Sequence, residues 1–240
     1  MYKYFFKRFF DVIFALLLLI PLAPIMILTA IAIKLDSKGP AIFKQIRSGK
    51  NNKEFMLYKF RSMTCNNDFY DKTKEDQVTK VGKFIRKTSL DELPQLFNII
   101  KGEMSFIGPR PWVIDYAKYF NEHQMRRLEV LPGITGLAQS SGRNAISIID
   151  RINLDVEYVD NVNLLLDIKI IFKTIIGVLK REGFSNSKSA IHEELKMLQM
   201  QDSDMYKEEF KKYKSNSIRK NKTNKKKTRK EDNVLIGSGI

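Results

Sequence analysis

The chain has 240 residues, 43% of them hydrophobic and 29% charged, with a formal net charge of +15. That length allows one domain with appendages or two small ones around a real core, and the charge calls for an anionic partner: nucleic acid, acidic lipid or a phosphorylated substrate. The single cysteine, Cys65, excludes an internal disulfide and fits a reducing compartment, while two histidines, His123 and His192, argue against a usual zinc site and against a Ser-His or Cys-His nucleophile.

Residues 12–33 form a run of 22 uncharged residues, and about 20 suffice to cross a bilayer as a straight helix. A cleavable signal fits poorly, because the run is long and Leu28-Thr29-Ala30-Ile31-Ala32 is a poor cleavage site. Lys3, Lys7 and Arg8 precede the run, and Lys34, Lys38, Lys44, Arg47 and Lys50 follow it. Both flanks therefore carry the cytoplasmic signature, and a straight span would take one of them outside. Pro21 and Pro24 each remove a helical hydrogen bond and bend the axis. The pattern predicts a re-entrant hairpin, helix-break-helix, with both ends on the cytoplasmic face; the alternative is a kinked helix that spans.

After the turn signal Asp36-Ser37-Lys38-Gly39-Pro40, residues 41–45 and 55–60 read as short strands joined by a polar turn around Gly49-Lys50-Asn51-Asn52. Lys59 and Arg61 extend from the second strand, as solvated edges or as the lining of an anionic site. Residues 66–77 are charged and uneven, a surface loop. Residues 78–87 place Val81, Phe84 and Ile85 at helical spacing among Lys80, Lys83, Arg86 and Lys87, a basic amphipathic stretch suited to an acidic headgroup surface.

Residues 88–111 contain the densest chemistry. Asp91 and Glu92 sit at the start of a predicted helix, which begins either at Ser89, closing a Ser-x-x-Glu capping box, or at Asp91 with Pro94 in its first turn. Free backbone N–H groups there favour anions. Acids in a first turn are ordinarily caps, but Pro109 and Pro111 fix the backbone around Arg110, and a rigid planar fork suits bidentate phosphate binding. A carboxylate nucleophile, a second carboxylate for a hard divalent cation and a fixed arginine are the parts for displacement at phosphorus.

Residues 116–131 read as a peripheral mixed-charge helix. Pro132-Gly133-Ile134-Thr135-Gly136 and Gly142-Arg143-Asn144 are turn-rich, with glycines that let backbone approach a ligand. Residues 164–181 form an apolar helix with interleaved Lys169, Lys173, Lys180 and Arg181, opened by Asp167 as its cap. The tail from 185 onward is polar, and residues 219–230 hold eight basic residues with no acid, a solvated run able to attach electrostatically to anionic inner-leaflet lipid.

The block 87–111, with Tyr58-Lys59-Phe60-Arg61-Ser62-Met63 before it and the two glycine motifs after it, resembles the bacterial sugar transferases of the monotopic phosphoglycosyl transferase superfamily, from about Tyr4 to Gly183. The resemblance implies transfer of a sugar-1-phosphate from a UDP-sugar to polyprenyl (undecaprenyl) phosphate with release of UMP. It implies Asp91 as nucleophile, forming a phosphosugar-aspartyl intermediate, Glu92 as a magnesium ligand, and Arg110, Arg143, Lys59 and Arg61 as phosphate-binding groups. Asp167 matches a family acid near the active centre. Family members break their membrane helix at a Ser-Pro pair; here Ala23-Pro24 stands instead. The small size resembles members acting on N-acetylated amino sugars.

The expected protein is α+β: a re-entrant membrane helical hairpin (1–36), a compact, mostly helical catalytic domain with a short β-hairpin and interfacial amphipathic helices (37–184), and a basic tail (185–240). Its expected place is the bacterial inner membrane, with the catalytic domain on the cytoplasmic face and no nucleic-acid partner. A membrane-tethered nucleic-acid-binding or scaffold protein is the competing reading, since phosphate contacts alone would use the charge. The charge is concentrated in the tail and membrane flanks, and no interleaved aromatic platform accompanies it.

Overall fold

A computed structural model describes residues 2–65, 77–141 and 146–179, together with Leu198. Arg143, Lys180, Arg181, most of the expected 66–77 loop and the basic tail lie outside the described residues.

The first long element, α1 (Lys7–Asp36), is a 30-residue helix, about 45 Å at 1.5 Å per residue. It is long and apolar enough to cross a membrane. The expected interruption is absent as a break: the helix runs on through Pro21 and Pro24. Each proline removes only its own N–H, and an apolar helix tolerates such losses where neighbouring groups support it.

One side of α1 packs along the remaining domain from end to end. Arg8 donates to the carbonyls of Ile99 and Ile100 at 2.5 and 3.1 Å, and Asp11 accepts from the Phe106 N–H at 3.1 Å. Ala15, Leu19 and Leu22 meet Phe55, Leu57, Leu96, Ile99 and Met104 in the main core. Farther along, Met26 and Ile33 pack with Phe60 and Ile85, and Asp36 accepts from the Val81 N–H at 2.9 Å. The opposite side, with Phe9, Phe14, Leu17, Ile20, Leu28 and Ile31, is exposed.

The chain then forms the expected hairpin, β1 (Ile42–Ser48) antiparallel to β2 (Glu54–Phe60), with Ile42 opposite Phe60 and Ser48 opposite Glu54. The amphipathic stretch is α2 (Lys80–Lys87), capped by the Thr79 hydroxyl, which accepts from the Gly82 N–H. Gly82 is required by proximity: a Cβ there would lie 2.0 Å from the Ser62 carbonyl oxygen. A 3-10 turn, Leu90–Glu92, leads into α3 (Gln95–Lys101), which ends on Gly102 at φ +89°.

Fully buried Asn98 ties α3 to the hairpin edge. Its Oδ1 accepts from the Tyr58 N–H at 3.1 Å, and its Nδ2 donates to the Met56 carbonyl and to Glu103 Oε2, both at 2.7 Å. An amide on a helix thus acts as the strand that the edge of β2 lacks.

Two short strands not expected from the sequence, β3 (Ser105–Ile107) and β4 (Gly133–Thr135), pair in parallel. The glycine motif serves this crossing. A Cβ on Gly133 would lie 2.1 Å from the Gly108 nitrogen, and one on Gly136 would lie 2.2 Å from the Gly108 oxygen. The expected 116–131 helix is divided into a 3-10 segment, Ile114–Tyr119, the short α4 (Glu122–Met125) and a further 3-10 turn, Arg126–Leu128. The remaining elements are α5 (Leu137–Ser141), α6 (Ile148–Asp160) and α7 (Leu164–Leu179). Ile170 on α7 packs with Tyr158 and Ile107, while Leu165, Phe172, Ile175 and Ile176 are exposed.

Candidate active site

Asp91 and Glu92 lie in the 3-10 turn ahead of α3, not inside a helix. Neither expected cap forms: Ser89 makes no side-chain cap bond and adopts φ +58°, ψ +18°, a left-handed conformation uncommon for a non-glycine residue. Such strain is held in place by its surroundings, and here it turns the chain so that the two acids face different neighbours.

Lys59, next to the end of β2, donates to Glu92 Oε1 at 2.8 Å, and both side chains are 19% exposed. Arg110 reaches the same oxygen from the other side, with both terminal nitrogens at 3.4 Å and its side chain 48% exposed. That contact is long and loose, so the guanidinium retains donors for another anion. Burial alone would push Glu92 up; Lys59 and Arg110 outweigh it and hold the carboxyl at about 2. Asp91 moves the other way. Burial and then the charge of Glu92 push it up to about 6, against the opposing pull of Lys59, Arg86 and Arg110. Adjacent acids are thereby separated in strength, one a permanent anion and one a more basic carboxylate that is still mostly ionised at neutral pH.

Arg110 projects from a segment with unusual support. Pro109 and Pro111 have no N–H, so carbonyls are the backbone handles on either side of Arg110. The Gly133 N–H donates to the Pro109 carbonyl at 2.9 Å, and Arg127 to the Arg110 carbonyl at 2.7 Å. Arg47 approaches the Pro111 carbonyl at 3.4 Å, and the Ser48 N–H donates to the Trp112 carbonyl at 2.9 Å. Arg127 is 1% exposed, bound to Asp155 Oδ2 of α6 at 2.7 and 3.1 Å, with its guanidinium 4.4 Å from the Trp112 ring centroid. Beside the acids, Arg47, Lys59, Gln95, Arg110, Pro111 and Gly133 line a cleft.

Of the residues expected at the site, the fold brings together Asp91, Glu92, Lys59 and Arg110. Arg61 departs from the expectation. It is 5% exposed, and its guanidinium donates to the Ser37 and Lys38 carbonyls and to Cys65 Sγ, closing the turn after α1. A guanidinium so engaged is a structural brace. Asp167 departs as well. Its carboxylate accepts from Lys7 and Tyr2 at 2.6 Å and from Tyr158 at 2.8 Å, pinning the chain ahead of α1 to α7. Arg143 lies outside the described residues.

Two arginines went unassigned in the sequence. Arg86, which bonds to Ser62 Oγ at 2.8 Å, is one of the cations acting on Asp91. Arg47 lines the cleft beside Arg110. Their signal was masked by membrane-flank and headgroup readings of the same basic stretches.

A family described as bacterial sugar transferase matches residues 2–181. An uncharacterized sugar transferase of Bacillus subtilis is 47% identical over 183 residues, covering 75% of this chain and 91% of that protein. A UDP-glucose:undecaprenyl-phosphate glucose-1-phosphate transferase of Klebsiella pneumoniae is 45% identical over 197 residues, covering 77% of this chain and 41% of that protein. A UDP-N-acetylgalactosamine-undecaprenyl-phosphate N-acetylgalactosaminephosphotransferase of Aeromonas hydrophila is 42% identical over 189 residues, covering 75% of this chain and 45% of that protein. The chain thus spans less than half of the last two relatives.

Proposed function

The chain belongs to the bacterial sugar transferase family, and from that membership we propose that it transfers a sugar-1-phosphate from a UDP-sugar to undecaprenyl phosphate, releasing UMP. The observation that carries the reading is the pair of acids of opposite strength, Asp91 and Glu92, set against Lys59 and Arg110 at a cationic cleft.

Asp91 is the nucleophile. Its carboxylate attacks the sugar-side phosphorus, the bridging P–O bond breaks, and the electron pair leaves on UMP, giving a phosphosugar-aspartyl intermediate. An oxygen of undecaprenyl phosphate then attacks the same phosphorus, and the Asp91 carboxylate departs unchanged. Anion attack on an anionic diphosphate needs fixed positive charge, which Arg110 and Lys59 supply, with Arg86 beside Asp91. The resemblance to the family motif assigns phosphate binding to Arg143 as well.

Glu92 would hold magnesium beside the nucleophile. Among the described residues there is no cluster of three metal-ligating side chains, so the ion would depend on Glu92 and on substrate phosphate oxygens, the sparse protein coordination that magnesium accepts. Lys59 and Arg110 both bind Oε1 of Glu92, leaving Oε2 for the ion. When bound, magnesium supplies charge neutralisation at the phosphate oxygens.

The acceptor is a lipid, and the apolar faces of α1 and α7 are where the protein would meet the bilayer. Lys7 and Arg8 at one end of α1, and Asp36 at the other, are bound to the same domain. A straight span would carry one of those ends across a hydrocarbon core about 30 Å thick and break its bonds to the domain. Re-entrant insertion from the cytoplasmic face leaves both in place, with the basic face of α2 at anionic headgroups.

The donor sugar is an N-acetylated amino sugar, as for the Aeromonas relative; the Klebsiella relative makes glucose the competitor. UMP release is measured across a panel of UDP-sugars with undecaprenyl phosphate and magnesium. Preference for an N-acetylated donor supports the specificity, preference for UDP-glucose replaces it, and no release from any donor rejects the reaction.

A further inference from the structure

Arg47 is a largely enclosed cation with an unusual set of partners. Its Nη2 donates to Gln45 Oε1 at 2.5 Å, its Nη1 approaches the Pro111 carbonyl at 3.4 Å, and its Nε is buried with no hydrogen-bond partner. No acid pairs with it among the described residues. Burial and then the neighbouring Arg110 push its pKa down to about 10. An enclosed guanidinium beside a second one is unfavourable unless an anion joins them. Both line the same cleft.

Position in the cleft distinguishes the two arginines. Arg110 touches Glu92 Oε1, whereas Arg47 contacts Gln45 and the carbonyl of Pro111, the residue after Arg110. Arg110 is therefore the arginine bonded to the acid pair, and Arg47 the one set beside it in the cleft. A diphosphate has the same linear order, with the phosphorus under attack followed by the one that leaves.

Resting on the donor chemistry proposed above, we propose that Arg47 binds the nucleoside-side phosphate of the UDP-sugar, so that Arg110 and Arg47 bracket the diphosphate and Arg47 receives the charge released on the departing UMP. The bond made is Asp91 Oδ to the sugar-side phosphorus, and the bond broken is from that phosphorus to the bridging oxygen. The electron pair stays on UMP, with no proton required. Arg47 takes no part in the second transfer, in which the nucleotide has gone.

Calorimetric binding of UMP and of uridine to the full-length protein tests this without turnover. Wild type is expected to bind UMP more tightly than uridine, and Arg47→Met to weaken UMP roughly tenfold to a hundredfold, the loss of contacts to a charged group. Uridine binding is expected to stay unchanged, and Arg47→Lys to fall between because it keeps charge without the fork. In turnover, Arg47→Met raises the KM for the donor and leaves that for undecaprenyl phosphate unchanged. Equal binding of UMP and uridine by wild type, undiminished UMP binding by Arg47→Met, or a rise confined to the acceptor KM would overturn the assignment. Should the methionine variant fail to fold, Arg47→Lys and Arg47→Gln carry the same comparison. Failure of wild type to release UMP, with Arg47-dependent UMP binding intact, would reject the transfer reaction and leave the phosphate site standing.

Discussion

Asp91 and Glu92 adjoin in sequence yet titrate in opposite directions, because Lys59 and Arg110 converge on one carboxylate and leave the other enclosed beside a fixed negative charge. For Asp91, raised from 3.8 to about 6, the folded state binds the proton more tightly than the unfolded chain. Stability attributable to it is therefore lost as pH rises from about 4 through 6, by about 2–3 kcal/mol at neutral pH. Asp91→Asn is expected to abolish transfer while raising stability by that order at pH 7.5, with little gain at pH 4, as urea unfolding at the two pH values would show. An equal or lower stability at pH 7.5 would mean that the carboxylate is not strained by its surroundings. Formation of the covalent intermediate should rise with pH through about 6 and then level off, since the nucleophile must be ionised. Arg61 and Asp167 teach the converse lesson. Both were expected at the site, yet their contacts are with carbonyls, a thiol, a lysine and two tyrosines that fasten elements together. A motif position carries a residue type, and only the fold says whether its charge faces a ligand.

The Pro109-Arg110-Pro111 segment is held through its carbonyls by β1, β4 and Arg127, and the Arg127–Asp155 pair is its most buried support. Arg127→Met is expected to cost roughly 3–5 kcal/mol, because it leaves Asp155 enclosed without its partner. Arg127→Met combined with Asp155→Leu should recover part of that stability but not the transfer rate, since the donor to the Arg110 carbonyl stays missing. Thermal unfolding and UMP release measured on both variants check this; full recovery of rate by the double variant would show that the clamp does not position Arg110. The hairpin, the basic amphipathic α2 and the apolar α7 were legible in the sequence, because alternation, helical spacing and turn residues within a few positions specify them. The β3–β4 pair was not. Each strand has three residues, and they meet across more than twenty positions through glycines that serve backbone contact instead of a turn. Asn98 was equally silent, since nothing local distinguishes an amide on a helix from one that completes a strand edge. The acids themselves were legible as chemistry, but the expected cap was replaced by a left-handed Ser89, a tertiary constraint without a sequence signature.

Across the whole molecule, one long helix both builds the core and presents an apolar side, and it is long and apolar enough to cross a membrane. Both ends of α1 are bonded to the one domain, through Arg8 at one and Asp36 at the other. A small tag joined at Met1 is expected to stay inaccessible to a membrane-impermeant label applied from outside intact cells and to react after permeabilisation; labelling from outside would show that α1 spans. The central chemical claim is that Asp91 at this surface forms a covalent bond to the transferred phosphosugar. Incubating the purified protein with magnesium and a UDP-sugar radiolabelled on the sugar-side phosphate, without acceptor, tests it most directly. Wild type should retain label at Asp91, lose it on addition of undecaprenyl phosphate, and Asp91→Asn should retain none. Label on another residue, or full turnover by Asp91→Asn, would contradict the account.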